Sequence, residues 1–115
     1  MPFIMSRVNI HLSEAEKIEI KKRLGKAIER VPYKNEAFLM VGLEDDVTLF
    51  MGGQSDEPLA YIEVSVWKNE SHEGYAPLTV EIAKSFHGVA KVPLENIYIR
   101  YIDIPSWARG SEYYE

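Results

Sequence analysis

The chain has no cysteine and only three histidines among its 115 residues. The lack of cysteine excludes disulfides, thiol nucleophiles and thiolate metal sites. His11, His72 and His87 show neither HxxxH nor HxH spacing, so they do not indicate a metal site, and we assign none of them a role. The residue types that most often perform acid, base or nucleophilic chemistry are therefore scarce.

Basic residues are also in the minority. The chain has 13 Lys and Arg against 18 Asp and Glu, for a net charge of −5. A chain without a basic stripe is a poor candidate for binding nucleic acid or an anionic membrane. We expect no signal peptide, because the start of the chain lacks a basic segment followed by an apolar run, and no apolar run is long enough to span a bilayer. We expect a cytoplasmic protein, with release without a signal peptide left open.

The length allows one domain, residues 1–115, and the 46% hydrophobic content is that of a globular protein. Its first half predicts a strand over 2–10 and a helix that ends before Pro32. Ser13 and Glu16 have the spacing of a capping box at the start of that helix. A second strand is predicted over 38–43, a short strand over 47–51 and a tight turn at Gly52-Gly53.

The second half repeats this order. Alternating apolar residues predict a strand over 59–67, Pro77 suits the first turn of a helix that runs to about Ala90, and 97–104 is the strongest strand signal. The β-α-β repeats, approximately 2–51 and 58–104, predict an α/β (α+β) fold. This fold has one four-stranded sheet with both helices on one face. The other face would be uncovered, which favours oligomerisation.

Pro2 is the unusual residue for chemistry. Removal of Met1 would leave a secondary amine, whose pKa an apolar pocket or a nearby cation would lower towards neutral pH. Such an amine can act as a general base without a histidine, cysteine or carboxylate. The alternative is that a proline at this position indicates only efficient removal of Met1.

Several short segments, in order and nearly at the family's spacing, resemble the macrophage migration inhibitory factor (MIF) family of the tautomerase superfamily across almost the whole chain. They are Pro2-Phe3-Ile4, Lys34, Phe50 to Gly53, Glu57 to Ala60, and Ile97 to Ile99 before Tyr101 and Asp103. The resemblance implies a homotrimer with active sites at subunit interfaces. It also implies keto-enol tautomerisation of small α-keto acids such as phenylpyruvate. Nothing in the sequence gives a reason to expect a cofactor or a metal.

The resemblance also implies residue roles. Pro2 would be the base, and Lys34 would hold the substrate carboxylate and lower the pKa of the proline. Tyr98 would form a wall and act as an acid from the adjacent subunit, and the backbone N–H of Trp67 would bind a substrate oxygen. Without the resemblance, Lys34 reads as a solvated loop lysine, Tyr98 as an ordinary strand tyrosine and Trp67 as a packing residue.

The chain departs from the family pattern at several positions. Arg100 stands where a pocket asparagine is usual, which suggests tighter keto-acid binding or a dicarboxylate substrate. Phe38 replaces a pocket tyrosine, and Trp107 matches the pocket tryptophan once a gap is allowed. Leu59 and Ile62 replace the CxxC pair of the vertebrate cytokine, which removes any thiol-oxidoreductase activity.

Two further functions stay open. Arg100 is compatible with a hydratase or decarboxylase of the same superfamily, in which paired arginines and an activated water are used. From a different class, the fold could serve as a cytokine-like protein that binds a protein receptor and does not use the pocket.

Overall fold

A computed structural model describes all residues, 1–115. Its strands and helices are β1 (Pro2–Val8), α1 (Glu14–Ala27), β2 (Met40–Glu44), β3 (Ala60–Trp67), α2 (Tyr75–Ala90), β4 (Ile97–Ile104), β5 (Trp107–Arg109) and β6 (Glu112–Tyr114). None of the helices combines the length and the apolar character that crossing a membrane would need.

The first four strands form one sheet in the order β2-β1-β3-β4. Strands β1 and β2 are parallel, as are β3 and β4, whereas the central pair β1 and β3 is antiparallel. Each parallel pair is joined through a helix, as a β-α-β unit requires. The predicted four-stranded sheet with two helices is confirmed.

The core lies between the sheet and the two helices. Alternate side chains of the central strands are fully buried, among them Ile4 and Val8 in β1 and Ile62, Val64 and Val66 in β3. The helices contribute fully buried residues at four-residue spacing, Ile20 and Leu24 from α1 and Leu78, Ile82 and Phe86 from α2. The apolar faces of both helices therefore pack against the same face of the sheet.

The predicted capping box begins α1. The Ser13 hydroxyl accepts a hydrogen bond from the Glu16 N–H at 3.1 Å, and the Glu16 carboxylate accepts one from the Ser13 N–H at 2.8 Å. Helix α2 begins at Tyr75, two residues before Pro77. Gly74 precedes it with a φ of 87°, and a Cβ there would collide with the carbonyl oxygen of Arg30. A side chain would therefore displace the start of α2 from the 3₁₀ turn over Ile28–Arg30 that follows α1.

Two strand predictions need correction. No strand forms over 47–51, because Gly52 and Gly53 both take positive φ and reverse the chain after a single bridge between Met51 and Gln54. The second strand begins at Met40 rather than Phe38, because the Asn35 side chain accepts the Ala37 N–H at 2.9 Å and caps a 3₁₀ turn over Glu36–Phe38.

The sheet face opposite the helices is not covered within one chain, and it carries charged as well as apolar side chains. Arg7 lies at its centre, 2.8 Å from a carboxylate oxygen of Glu63 and 3.6 Å from one of Glu44. Phe3 and Met5 lie on the same face, and both are only partly buried. A layer packed here would therefore meet ion pairs as well as apolar side chains.

Candidate active site

The start of β1 borders an open cleft of about 690 Å³. The Pro2 side chain is buried there, and its backbone pairs with Val66 of β3. Most of the cleft lining is apolar, and it comprises Met1 to Phe3, Ala37 to Val41 and Trp107 to Gly110. Three of the predicted site residues, Pro2, Phe38 and Trp107, therefore line one cleft.

The wall opposite Pro2 comes from a C-terminal hairpin of β5 and β6 that was not predicted. Its turn contains Gly110, with a φ of 60°. The ring of Tyr114 packs edge-on against Trp67, with ring centroids 5.5 Å apart. The guanidinium carbon of Arg109 lies 5.3 Å from the centre of the Phe38 ring. These two contacts hold the hairpin beside the chain start.

Lys34 and Trp67 meet at the N-terminus. The Lys34 ammonium donates a hydrogen bond to the Trp67 carbonyl oxygen at 3.0 Å. The backbone N–H of Trp67 donates a hydrogen bond to the Met1 carbonyl oxygen at 3.4 Å. Removal of Met1 would take this acceptor away and leave the Trp67 N–H free beside the new terminal amine of Pro2.

The surroundings favour an uncharged terminal amine. The pKa of the Met1 amine falls from its ordinary value of 8.0 to about 6. Burial is the largest cause, because it disfavours the charged form, and the positive charge of Lys34 and a hydrogen bond with it lower the pKa further. A base in this place would be ready to accept a proton near neutral pH.

Tyr98 and Arg100 do not reach this cleft within one chain. Pro2 pairs with Val66, which in turn pairs with Asp103 of β4. Arg100 and Tyr98 lie three and five residues back along β4, about 10 and 16 Å from that level at the usual rise per strand residue. They can join Pro2 only if a second copy of the chain supplies them.

Tyr98 lines a separate hollow of about 200 Å³. Seven of its eight lining residues are hydrophobic, and Tyr98 is 61% exposed. On the same sheet face, an Arg100 guanidinium nitrogen lies 3.8 Å from a carboxylate oxygen of Glu63. A hydrogen bond with Tyr61 raises the pKa of Arg100 and so favours its charged form.

None of the three histidines lines the cleft. A ring nitrogen of His72 lies 2.6 Å from a carboxylate oxygen of Asp103, and one of His87 lies 2.9 Å from the Val92 carbonyl oxygen. The cleft lining contains no aspartate or glutamate either. A free amine on Pro2 would therefore be the base available to a molecule in the cleft.

One group of side chains has the composition of a cation site. The ring of His11 and the carboxylates of Asp45 and Asp46 place one ligand atom each within 4.8 Å of one another. Asp45 already accepts the Leu12 N–H at 3.0 Å and lies 3.8 Å from the Lys17 ammonium. These contacts stabilise the carboxylate charge, lower the pKa of Asp45 and hold the loop.

Arg109 is a cleft residue that the sequence did not reveal, because the hairpin carrying it was not predicted. The signal was present as the short alternation Trp107-Ala108-Arg109 followed by Gly110-Ser111, which is typical of a tight β-turn.

The architecture is that of the tautomerase fold, as comparison with solved structures shows. Leishmania major MIF2 superposes with a TM-score of 0.88 at 23% identity, over 99% of this chain and 97% of that one. A fused 4-OT superposes with a TM-score of 0.82 at 14% identity, over 96% and 94% of the two chains.

A third structure, Pt0534 inactivated by 2-oxo-3-pentynoate, superposes with a TM-score of 0.79 at 18% identity, over 90% of this chain and 86% of that one. No protein-family model and no curated protein sequence matches the chain. The fold expected from the resemblance to the MIF family is therefore confirmed, at identities too low to carry more than the fold.

Proposed function

We propose that the chain is a keto-enol tautomerase for small 2-oxo acids, in which the amine of Pro2, freed by removal of Met1, is the general base. The observation that carries this proposal is the environment of the chain start. The pKa of the Met1 amine is lowered there to about 6 by burial and by the Lys34 ammonium, and the Pro2 amine would meet the same surroundings at the edge of a mostly apolar cleft.

In the proposed reaction the neutral Pro2 nitrogen removes a proton from C3 of the 2-oxo acid. The electrons of the C–H bond form the C2–C3 double bond, and those of the carbonyl pass to the C2 oxygen. Lys34 holds the substrate carboxylate, and the Trp67 N–H donates to a substrate oxygen, so both stabilise the developing negative charge. The proton on Pro2 then passes to the C2 oxygen to give the enol, and the reverse sequence gives the keto form.

The choice of 2-oxo acids as substrates rests on the polar and apolar groups around the cleft and on one solved structure that shares the fold. An ammonium and a backbone N–H side by side suit a carboxylate next to a carbonyl, and the apolar lining suits an aryl or alkyl body. Pt0534, which shares the fold, is described as inactivated by 2-oxo-3-pentynoate, itself a 2-oxo acid. The fused 4-OT neighbour is described as an asymmetric trimer.

A trimer of this chain would bring Tyr98 and Arg100 of one copy towards Pro2 of another and would cover the open sheet face. The expected mass in solution is about three times 13.2 kDa by light scattering after size exclusion. A monomeric protein of full activity would contradict the interfacial site, and Tyr98→Phe should then have no effect.

The first experiment compares phenylpyruvate enol-to-keto conversion by the Met1-free protein and by Pro2→Gly, with Met1 removal verified by intact mass. Loss of a positioned general base is expected to slow the reaction by roughly 10²- to 10⁴-fold. The same chain with Met1 retained is the matched control, because it has every side chain but a Pro2 nitrogen without a basic lone pair. Equal rates for all three would refute the proposal.

The pH dependence gives a second readout. The base acts in its neutral form, so kcat/KM should rise with pH through the pKa of the free Pro2 amine and level off above it. Burial and Lys34, which lower the pKa of the Met1 amine from 8.0, should hold this midpoint below 8.0 as well. If the Met1-free protein is inactive on a panel of 2-oxo acids yet binds a protein partner specifically, the cytokine-like alternative is favoured.

A further inference from the structure

Arg109 is the one charged side chain in the lining of the Pro2 cleft. It is the last residue of β5, and its guanidinium lies over the Phe38 ring, 5.3 Å from the centroid. A guanidinium on an aromatic face is held in a defined plane while its N–H groups stay available at the edge. Arg109 is thus placed to donate hydrogen bonds to a molecule in the cleft.

The guanidinium of Arg109 has no carboxylate partner in the chain. The other four arginines, Arg7, Arg23, Arg30 and Arg100, each have a carboxylate oxygen within 4.0 Å. The cleft lining offers no aspartate or glutamate that could neutralise it. A planar fork of donors without an internal acceptor matches the geometry of an external carboxylate.

The chain therefore offers one cation in the cleft lining and a second beside the cleft. Lys34 lies at the chain start, bonded to the Trp67 carbonyl, and Arg109 lies on the hairpin, over Phe38. Apolar side chains make up most of the remaining lining. A substrate with one carboxylate would use one of these cations, whereas a dicarboxylate would use both.

We propose that Arg109 is a specificity-determining residue that binds a second, distal carboxylate, so that 2-oxo dicarboxylic acids are the preferred substrate class. This inference rests on the proposed function, because it takes the Pro2 amine as the base and Lys34 as the partner of the first carboxylate. It concerns selectivity among 2-oxo acids and assigns no chemical step to Arg109.

The test uses two five-carbon substrates, 2-oxoglutarate and 2-oxopentanoate, which differ by a carboxylate against a methyl group at the far end. Exchange of the C3 protons for deuterium in D₂O, followed by proton NMR, measures proton removal from both on the same scale. The wild-type Met1-free protein should have the higher kcat/KM for 2-oxoglutarate. In Arg109→Gln this preference should fall by roughly 10- to 100-fold, mainly through KM, as expected when a hydrogen bond to a charged group is lost.

Arg109→Lys keeps the charge without the planar fork and should retain part of the preference. Arg23→Gln is the matched control, since Arg23 lies on α1, away from the cleft, and should leave the preference unchanged. An Arg109→Gln variant that exchanges both substrates as the wild type does, or loses both equally, overturns the inference while the proposed function stands.

Failure of the proposed function gives a different pattern. Wild type and Pro2→Gly would then exchange neither substrate above the uncatalysed rate. The dissociation constant of 2-oxoglutarate, measured by calorimetry, still tests Arg109 in that case. Binding that weakens at least 10-fold in Arg109→Gln supports the carboxylate site, and equal binding, or none, to both proteins overturns it.

Discussion

Lys34 lowers the pKa of the terminal amine. Replacing Lys34 by an uncharged residue should therefore raise that pKa, and the share of the shift due to Lys34 can be worked out. The pKa of the Met1 amine is about 6 instead of 8.0, with burial as the largest cause and Lys34 contributing through its charge and a hydrogen bond. Two unit charges about 4 Å apart repel by about 1 kcal/mol when water screens them fully, which is a lower limit for partly buried groups. One kcal/mol corresponds to about 0.7 in pKa.

Lys34→Met should therefore raise the pKa of the terminal amine by roughly 0.5 to 1, while burial keeps it below 8.0. The chain with Met1 retained allows a direct assay with ¹³C-labelled methionine. It contains four methionines, and the ¹³Cα signal of Met1 reports the titration of the amine it carries. Lys26→Met is the control, because Lys26 is exposed on α1 and is not among the causes of the shift.

Two results would refute this reasoning. A wild-type midpoint near 8 would mean that the amine is solvated, and the base proposed for Pro2 would lose its physical support. An unchanged midpoint in Lys34→Met would assign the whole effect to burial. Added salt offers a check within one sample, since it screens the repulsion from Lys34 and should raise the wild-type midpoint more than that of Lys34→Met.

Three further predictions concern stability and can be measured by urea denaturation. Phe86→Ala should lower the free energy of unfolding by about 3 to 5 kcal/mol, because the Phe86 ring is fully buried; a loss below 1 kcal/mol would mean that the site collapses around the cavity. Ser13→Ala removes the capping box and should cost about 1 kcal/mol, with Ser55→Ala, an exposed serine outside the helices, as the control. Gly74→Ala should cost more than about 1 kcal/mol, because it meets both a positive φ and the Arg30 carbonyl; a neutral effect would contradict the close approach.

The predictable part of the fold depended on local signals. The period of two in β3 and the helical spacing from Leu78 to Phe86 each follow from one segment packing one face. The capping box at Ser13 needs only four consecutive residues. The segment 47–51 was wrongly predicted as a strand because its apolar residues are typical of one. A strand also needs a neighbouring strand to pair with, and the tight turn at Gly52-Gly53 allows only one bridge, between Met51 and Gln54.

The candidate site was predictable only in part. Pro2 was named from its position after Met1, and Lys34, Phe38 and Trp107 were named from the resemblance; all four lie at or beside one cleft. Arg109 was missed because a hairpin of two three-residue strands carries almost no periodic signal.

The amino-acid sequence by itself determined the two β-α-β units, the core faces and the shortage of conventional acids and bases, because each of these depends on residue order or composition. Only the tertiary structure decided that the Trp67 N–H meets the Met1 carbonyl, that Lys34 lies against the terminal amine, and that Arg109 faces a cleft without a carboxylate partner. Residues far apart in the chain make these contacts, and neither their distances nor their effect on a pKa exists until the sheet and the hairpin bring them together.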